Sequence, residues 1–477
     1  MRSTFSSLSR RRFLAGAAGL SGAALLAACG VAQAPTAAPE ADDAPEAEDM
    51  PKAEPATVNV RWIVNVAENA QAFEDGVINR FREMHPDIDL KYEGSPYRAH
   101  YDKMLAELAA NEAIDILTPD PTRWIEWTDK GFVREVTDLY KRDQSQLGDT
   151  VALDWIVDPQ GRFWSMPYTA LGTIHIYNTS IFDKYGISEP PRQWNASDGG
   201  EYIDVAREIT SRSSSEPDPI WGIYTGADYT TELSTYVVQN GGNFLDDDLR
   251  RATMHEPEFI EAIQFMFDLE FKYRVAPSAE AKAAFRETLG EGRHRDALFV
   301  HGRAAMNNTW FNAESGWTHP DVENLPMKAV PMLENSKGGP TSDKVGGWTA
   351  VQYMWSGAKH PDAVWEFMKF AMSDIEFGVA VTTLLNYGLS ANANAWDDPR
   401  LAATKTRPPR EISAIAEPLR EGRGFITQIF PGWREHLGFF NEQKSLVWKQ
   451  ELTVEEAMQN SSKHTQAVID AYWAEKE

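Results

Sequence analysis

Between Val58 and Leu117 the chain switches repeatedly between two hydrophobic periods, and this alternation restricts its possible folds more than any other feature. Val58 to Val64 is a short apolar run with strand-like alternation. From Ala70 the apolar residues fall at Phe73, Val77, Ile78, Phe81 and Met84, a helical spacing closed by His85-Pro86. Ile88, Leu90 and Tyr92 alternate as a second strand. Tyr101, Met104, Leu105 and Leu108 make a second helical stripe, followed by the apolar run Ile114 to Leu117. Strand, helix, strand, helix, strand requires crossover connections, which set strands parallel and lay helices over the sheet. The predicted class is α/β.

The same grammar continues. Pro257 and Pro361 each open a helical stripe, at the position where a missing N–H costs least. Thr453 with Glu456 has the capping-box spacing, and Val468, Ile469 and Tyr472 stripe the last helix. About 420 residues follow position 56, too many for one ordinary core and suited to two domains. There is no run long enough to span a membrane and no repeat of fixed period.

Ahead of this body stand three distinct segments. Arg10-Arg11-Arg12-Phe13-Leu14 precedes a small, mildly apolar run to Ala28, the layout of an export signal, and the arginines with Phe and Leu resemble a twin-arginine signal. Leu26-Ala27-Ala28-Cys29 resembles a bacterial lipobox, which implies cleavage after residue 28 and a lipid on Cys29. Cys29 is the single cysteine, so no internal disulfide can form. The competing reading is that Cys29 leaves with the signal peptide. Residues 29–56 are mostly Ala, Pro, Glu and Asp, a composition that cannot offset the entropy of ordering and reads as a flexible tether. The expected location is the extracytoplasmic face of the cell membrane, held by lipid alone. The net charge of −25 repels nucleic acid and anionic lipid but does not identify a ligand.

Phe81 to Pro86, Tyr101 to Ala110, Ile114-Asp115-Ile116, Gly131-Phe132-Val133, Met166-Pro167-Tyr168, Ile176-Tyr177-Asn178, Gly302 to Met306 with Trp310, and Gly346-Gly347-Trp348 before His360-Pro361 occur in an order that resembles the family 1 extracellular solute-binding proteins of ABC transporters, the maltose-binding-protein-like sugar type. The resemblance runs from about residue 57 to 475. Asn111 stands where the family has a glycine turn, and 280–298 reads as an insertion. What the resemblance implies is a type II periplasmic-binding-protein fold: two lobes, each a mainly parallel sheet flanked by helices, joined by hinge crossovers, with the ligand closed between them. It implies crossings near Pro167 to Leu171, Asn307 to Trp310 and Trp348 to Val351. It divides the chain into an N-terminal lobe of 57–168 plus 308–349 and a C-terminal lobe of 169–307 plus 350–477. It further implies a monomer without catalysis or cofactor, serving an ABC permease with a cytoplasmic ATPase.

A sugar presents apolar C–H faces and a belt of hydroxyls, so its cleft needs aromatic platforms beside planar hydrogen-bonding groups. The chain has 16 tryptophans and 15 tyrosines. Trp310 stands among Asn307, Asn308 and Asn312; Trp348 follows Gly346 and Gly347; Tyr229 is next to Asp228; Trp433 follows Pro431-Gly432. All fall where the resemblance puts cleft loops, and the competing reading for each is a core residue. Asn65 and Glu68 after the first strand, and Asp120 and Trp124 after the third, take the carboxyl-end positions usual for ligands, although Asp120 equally suits a helix cap. Tyr168 at the first crossing reads as ligand contact, hinge packing or both. Trp155, Trp164, Trp221, Trp365 and Trp473 read as core or surface.

Two other functional classes compete with a sugar receptor. Among 71 acids a glycosidase-like carboxylate pair is unavoidable, but there is no Gly-x-Ser-x-Gly elbow and no His-Glu-x-x-His helix. His255-Glu256 lacks the second histidine, His294 reads as an exposed loop residue, and no metal is expected. A receptor for glycerol phosphate would use Arg98 and Arg123, and one for polyamines Asp120, Glu68 and Asp228. The aromatic, amide-rich loops favour carbohydrate, and the expected ligand is an oligosaccharide.

Overall fold

The computed structural model describes residues 57–64, 70–95, 97–110, 112, 114–119, 121–225, 232–288, 296–311, 324–385, 388–402 and 411–476. The signal, lipobox and tether segments, with Cys29, lie outside these residues. The strands are β1 (Val58–Val64), β2 (Ile88–Gly94), β3 (Ile116–Leu117), β4 (Met166–Pro167), β5 (Thr169–Asn178), β6 (Gln193–Trp194), β7 (Trp221–Thr225), β8 (Ala304–Trp310), β9 (Met327–Pro331), β10 (Glu334–Asn335), β11 (Val345–Trp348), β12 (Val351–Met354), β13 (Leu389–Ser390) and β14 (Gly424–Ile426).

They form two main sheets, one per lobe. The first has the order β2-β1-β3-β12-β4, and β1 runs parallel to β2 and β3, as the opening alternation predicts. Alternation along β1 sends Trp62 to one core with Phe73, Tyr92, Phe367 and Phe377, and Ile63 to a second with Met104, Leu117 and Trp127 on the opposite face. The second sheet has the order β14-β11-β5-β8-β7, with β9 and β13 also on β5. Every residue of β5 is buried, and it runs antiparallel to all its partners. The mixed direction follows from its origin, since β5 enters directly from the other lobe and not through a helix.

The two sheets assign residues to lobes differently from the sequence expectation. β8, β9 and β11, within or next to 308–349, belong to the second sheet, whereas β12 pairs with β3 and β4 in the first. Helices Pro361–Ser373 and Ile375–Thr383 pack into the first core. The first crossing lies at Tyr168, between β4 and β5, and another at Thr349-Ala350, between β11 and β12; both were expected. The segment Asn307 to Trp310 is no crossing but the interior and end of β8. A further passage runs from Leu385, in the first core, to β13.

At the hinge the strands are tied by fully buried threonines. Thr349 Oγ1 donates to the Thr169 carbonyl at 2.7 Å, and the Ala350 N–H donates to Thr169 Oγ1 at 2.8 Å. The Tyr168 N–H reaches the Ala350 carbonyl at 3.0 Å, and the Ala391 N–H the Tyr168 carbonyl at 3.1 Å. Three chain passages thus share one hydrogen-bonded knot. The C-terminal helices Trp433–Trp448 and Val454–Lys476 complete the second lobe.

Candidate functional site

Trp310 and Trp348 end β8 and β11, the strands on either side of β5. Trp310 pairs with Thr173 and Trp348 with Leu171, two residues apart on β5. Cross-strand partners share a face and the side-chain period is two, so both indoles rise from the same face. Their centroids are 6.0 Å apart at 81°, and both rings are only partly buried. This edge-to-face pair at the hinge end of a sheet is a preformed corner with apolar surface in two directions.

On the opposite face lies a second aromatic group. A side chain at Gly347 would come within 2.3 Å of the Trp155 indole, and one at Gly424 within 2.4 Å. These two positions, on neighbouring strands, are the seat of Trp155. Trp155 then joins Trp124, Trp164, Tyr353 of β12 and Ile426 to Ile429, at the end of β14, around a cavity of about 350 Å³. Trp164 is held by its indole N–H, which donates to Asp158 Oδ2 at 3.0 Å, and the Arg162 guanidinium lies 5.2 Å from its ring. Burial pushes the Asp158 carboxyl up. The backbone N–H of Arg162, the Trp164 indole and the Arg162 side chain outweigh that and hold it below its ordinary range. Asp158 is therefore an ionised anchor for one aromatic wall.

Of the expected ligand residues, Trp310, Trp348 and Trp124 have partly open rings at these sites. Gly347 has a different role, because its missing side chain makes room for Trp155. Tyr168 is fully buried in the first core, edge-on to Trp62 at 6.0 Å and to Phe377 at 6.3 Å, so hinge packing accounts for it. Trp433 is 4% exposed and packs on Phe430, His436 and Phe244, with no ring face left for a solute. Asn65, Glu68, Asp120, Asp228, Tyr229, Asn312 and His294 lie outside the described residues. Arg123 is turned onto the Tyr101 ring at 5.2 Å and towards Glu126 at 3.6 Å, and His255 bonds Ser462 at 2.8 Å. The sequence reading missed Trp155, Trp164 and Trp473 as cavity residues. The available signal for Trp164 was the neighbouring Asp158-Pro-Gln-Gly161 turn, which aims it.

A family profile described as bacterial extracellular solute-binding protein matches residues 65–375. The chain is 23% identical over 214 residues to the probable ABC transporter-binding protein of Deinococcus radiodurans, covering 44% of this chain and 47% of that protein, about half of that relative's length. It is 21% identical over 362 residues to the arabinooligosaccharide-binding protein of Halalkalibacterium halodurans, covering 72% of this chain and 73% of that protein. The solved structure of the cyclic alpha-maltosyl-1,6-maltose binding protein of Arthrobacter globiformis is similar with a TM-score of 0.69 at 18% identity, over 87% of this chain and 99% of that one. That likeness establishes the two-lobed type II periplasmic-binding-protein fold. Because the profile match extends over more than half of its length, the chain belongs to the bacterial extracellular solute-binding protein family.

Proposed function

We propose that the protein captures a carbohydrate, an oligosaccharide, between its two lobes and delivers it to the permease of an ABC importer driven by a cytoplasmic ATPase. The observation that carries this reading is the partly open, right-angled pair Trp310 and Trp348 at the hinge end of the second sheet. Such a corner stacks on pyranose faces, and closure adds contacts from the other lobe, so a ligand touching both favours the closed form. The named ligands of similar proteins, an arabinooligosaccharide and a cyclic maltose derivative, support the same class. Engagement of Arg123 by Tyr101 and Glu126 weakens the phosphate reading.

In this reading the N-terminal segment is a twin-arginine signal cut at a lipobox, and Cys29 carries the lipid that holds a monomer outside the cytoplasmic membrane. Among the described residues no helix is long and apolar enough to cross a membrane. Incorporation of labelled fatty acid, lost in C29S, tests the anchor.

The test of function is thermal unfolding and tryptophan emission against mono- and oligosaccharides, glycerol phosphate and polyamines. A ligand at a hundred times its Kd stabilises the folded state by about 2.7 kcal/mol. The expected hit is a neutral oligosaccharide, recovered uncleaved, whose affinity hardly changes with ionic strength. Shifts from phosphate or polyamine alone, or cleavage of the hit, would overturn the reading.

A further inference from the structure

Away from the hinge, the two lobes meet through a pair of helix ends. The helix Trp124–Asp129 belongs to the first lobe, where Trp127 is buried against Phe132 and Tyr353. The helix Val454–Lys476 belongs to the second, through Ala457, Met458 and Ile469. Lys476 Nζ reaches across to Asp129 Oδ1 at 2.7 Å. Between the two helices is a space of about 460 Å³, with Ile125 and Asp129 on one side and Pro431, Tyr472 and Trp473 on the other. It shares Trp124 and Trp164 with the cavity of Trp155, an indole seated in turn on Gly347, two residues before the hinge residue Thr349. From the hinge outward the order is Gly347, Trp155, the shared indoles, and then Asp129 with Lys476. Rotation about a hinge separates groups in proportion to their distance from it, so this outer pair parts the furthest.

Local helix stability does not account for Asp129. It ends its own helix, where a carboxylate opposes the helix dipole, and the adjacent Lys130 is taken by Glu126 at 2.6 Å. Its charge is met from the other lobe, by Lys476 and by the Tyr472 phenol. Burial, and then the Asp129 carboxylate, hold that phenol above its ordinary range, so it stays protonated and able to donate. Lys476 Nζ also lies 5.3 Å from the Tyr472 ring centroid, which gathers the three groups. The last turn is fixed to its own lobe as well. The Arg250 guanidinium lies 3.6 Å from the Trp473 ring centroid, and the Gln466 amide donates to the Arg250 carbonyl at 3.0 Å.

We propose that Asp129, Lys476 and Tyr472 form a clasp between the lobes that favours the closed form and slows release of a captured solute. This inference rests on the reading of a solute enclosed between two lobes, and not on that solute being a carbohydrate. An exposed ion pair adds little to folding, about two- to five-fold in an equilibrium constant. Here that factor falls on the balance between closed and open forms, because the groups meet only when the lobes approach. A solute that needs the closed form gains the same factor in apparent affinity. The clasp thus tunes retention without touching the solute.

The experiment compares the full chain with D129N, D129K and the charge-exchanged D129K/K476D. Calorimetric titration and stopped-flow dissociation are run with the best-bound solute of the panel, and X-ray scattering without solute. D129N should weaken binding about two- to five-fold, mostly through faster dissociation, with the ligand-free melt nearly unchanged. D129K sets two cations face to face, so it should weaken binding further and enlarge the ligand-free radius of gyration. The exchanged pair should return both towards wild type, a recovery that a role confined to the helix Trp124–Asp129 would not produce. Wild-type affinity and release in D129N and D129K, or no recovery in the exchanged pair, would overturn the clasp. If only phosphate or polyamine binds, the carbohydrate reading fails and the clasp is judged on that solute. If nothing binds, equal radii of gyration in wild type and D129K would overturn it.

Discussion

At Gly347 the missing side chain does structural work, because the Trp155 indole occupies the place where a Cβ would stand. G347A should force the indole aside and lower stability by about 1–3 kcal/mol, the usual cost of overpacking, read as a lower Tm and altered tryptophan emission. An unchanged melt would contradict this seating. Two fully buried imidazoles set a pH dependence. Burial pulls His175 down to about 4, although Asn308 bonds its Nδ1 at 2.6 Å, and pulls His436 down to about 3. The unfolded chain binds these protons near pH 6.5 and the folded chain does not, so their contribution is complete above that pH and is lost as pH falls towards 4. Each histidine contributes up to about 1.4 kcal/mol per pH unit in that window. Denaturant unfolding at pH 7, 6 and 5 should show the decline, and H175Q, which cannot titrate, should flatten it; equal slopes in the two proteins would contradict the assignment.

Elements whose signals are local were legible in the sequence. The capping box is formed as its spacing predicts: the Thr453 N–H donates to Glu456 Oε2 at 2.9 Å and the Glu456 N–H to Thr453 Oγ1 at 3.2 Å. T453A should cost about 1 kcal/mol, seen as a lower Tm, and an unaltered melt would mean that the C-terminal helix does not need its cap. Pro257 and Pro361 likewise open the helices that their stripes predict. What sequence could not supply was pairing between distant strands. Nothing local in Val345–Trp348 or Val351–Met354 says that the first belongs to one sheet and the second to the other, and the two strands are separated only by the hinge residues Thr349 and Ala350. Trp433 misled for a related reason. Pro431-Gly432 reads as a loop, but Gly432 at φ 75° starts a helix and turns the ring into the core.

At the scale of the whole molecule, two α/β lobes meet at a hydrogen-bonded hinge, and two partly buried indoles stand at that end of the second sheet. The aromatic character of the site was legible, since Trp310 and Trp348 stand at strand ends beside turn residues. Trp155 and Trp164 were not, because their position depends on contacts far away in sequence: the Val151 N–H on the Ala391 carbonyl at 2.8 Å, and Gly347 and Gly424 beneath the Trp155 ring. The central claim is that the Trp310 and Trp348 corner receives the sugar. The most direct measurement is calorimetric titration of the best carbohydrate ligand into wild type, W310A, W348A and the double variant, with thermal melts to confirm folding. Each single change should cost roughly 1–3 kcal/mol of binding, and the double less than their sum because the rings touch. Full affinity in both single variants, with their folding intact, would contradict the account.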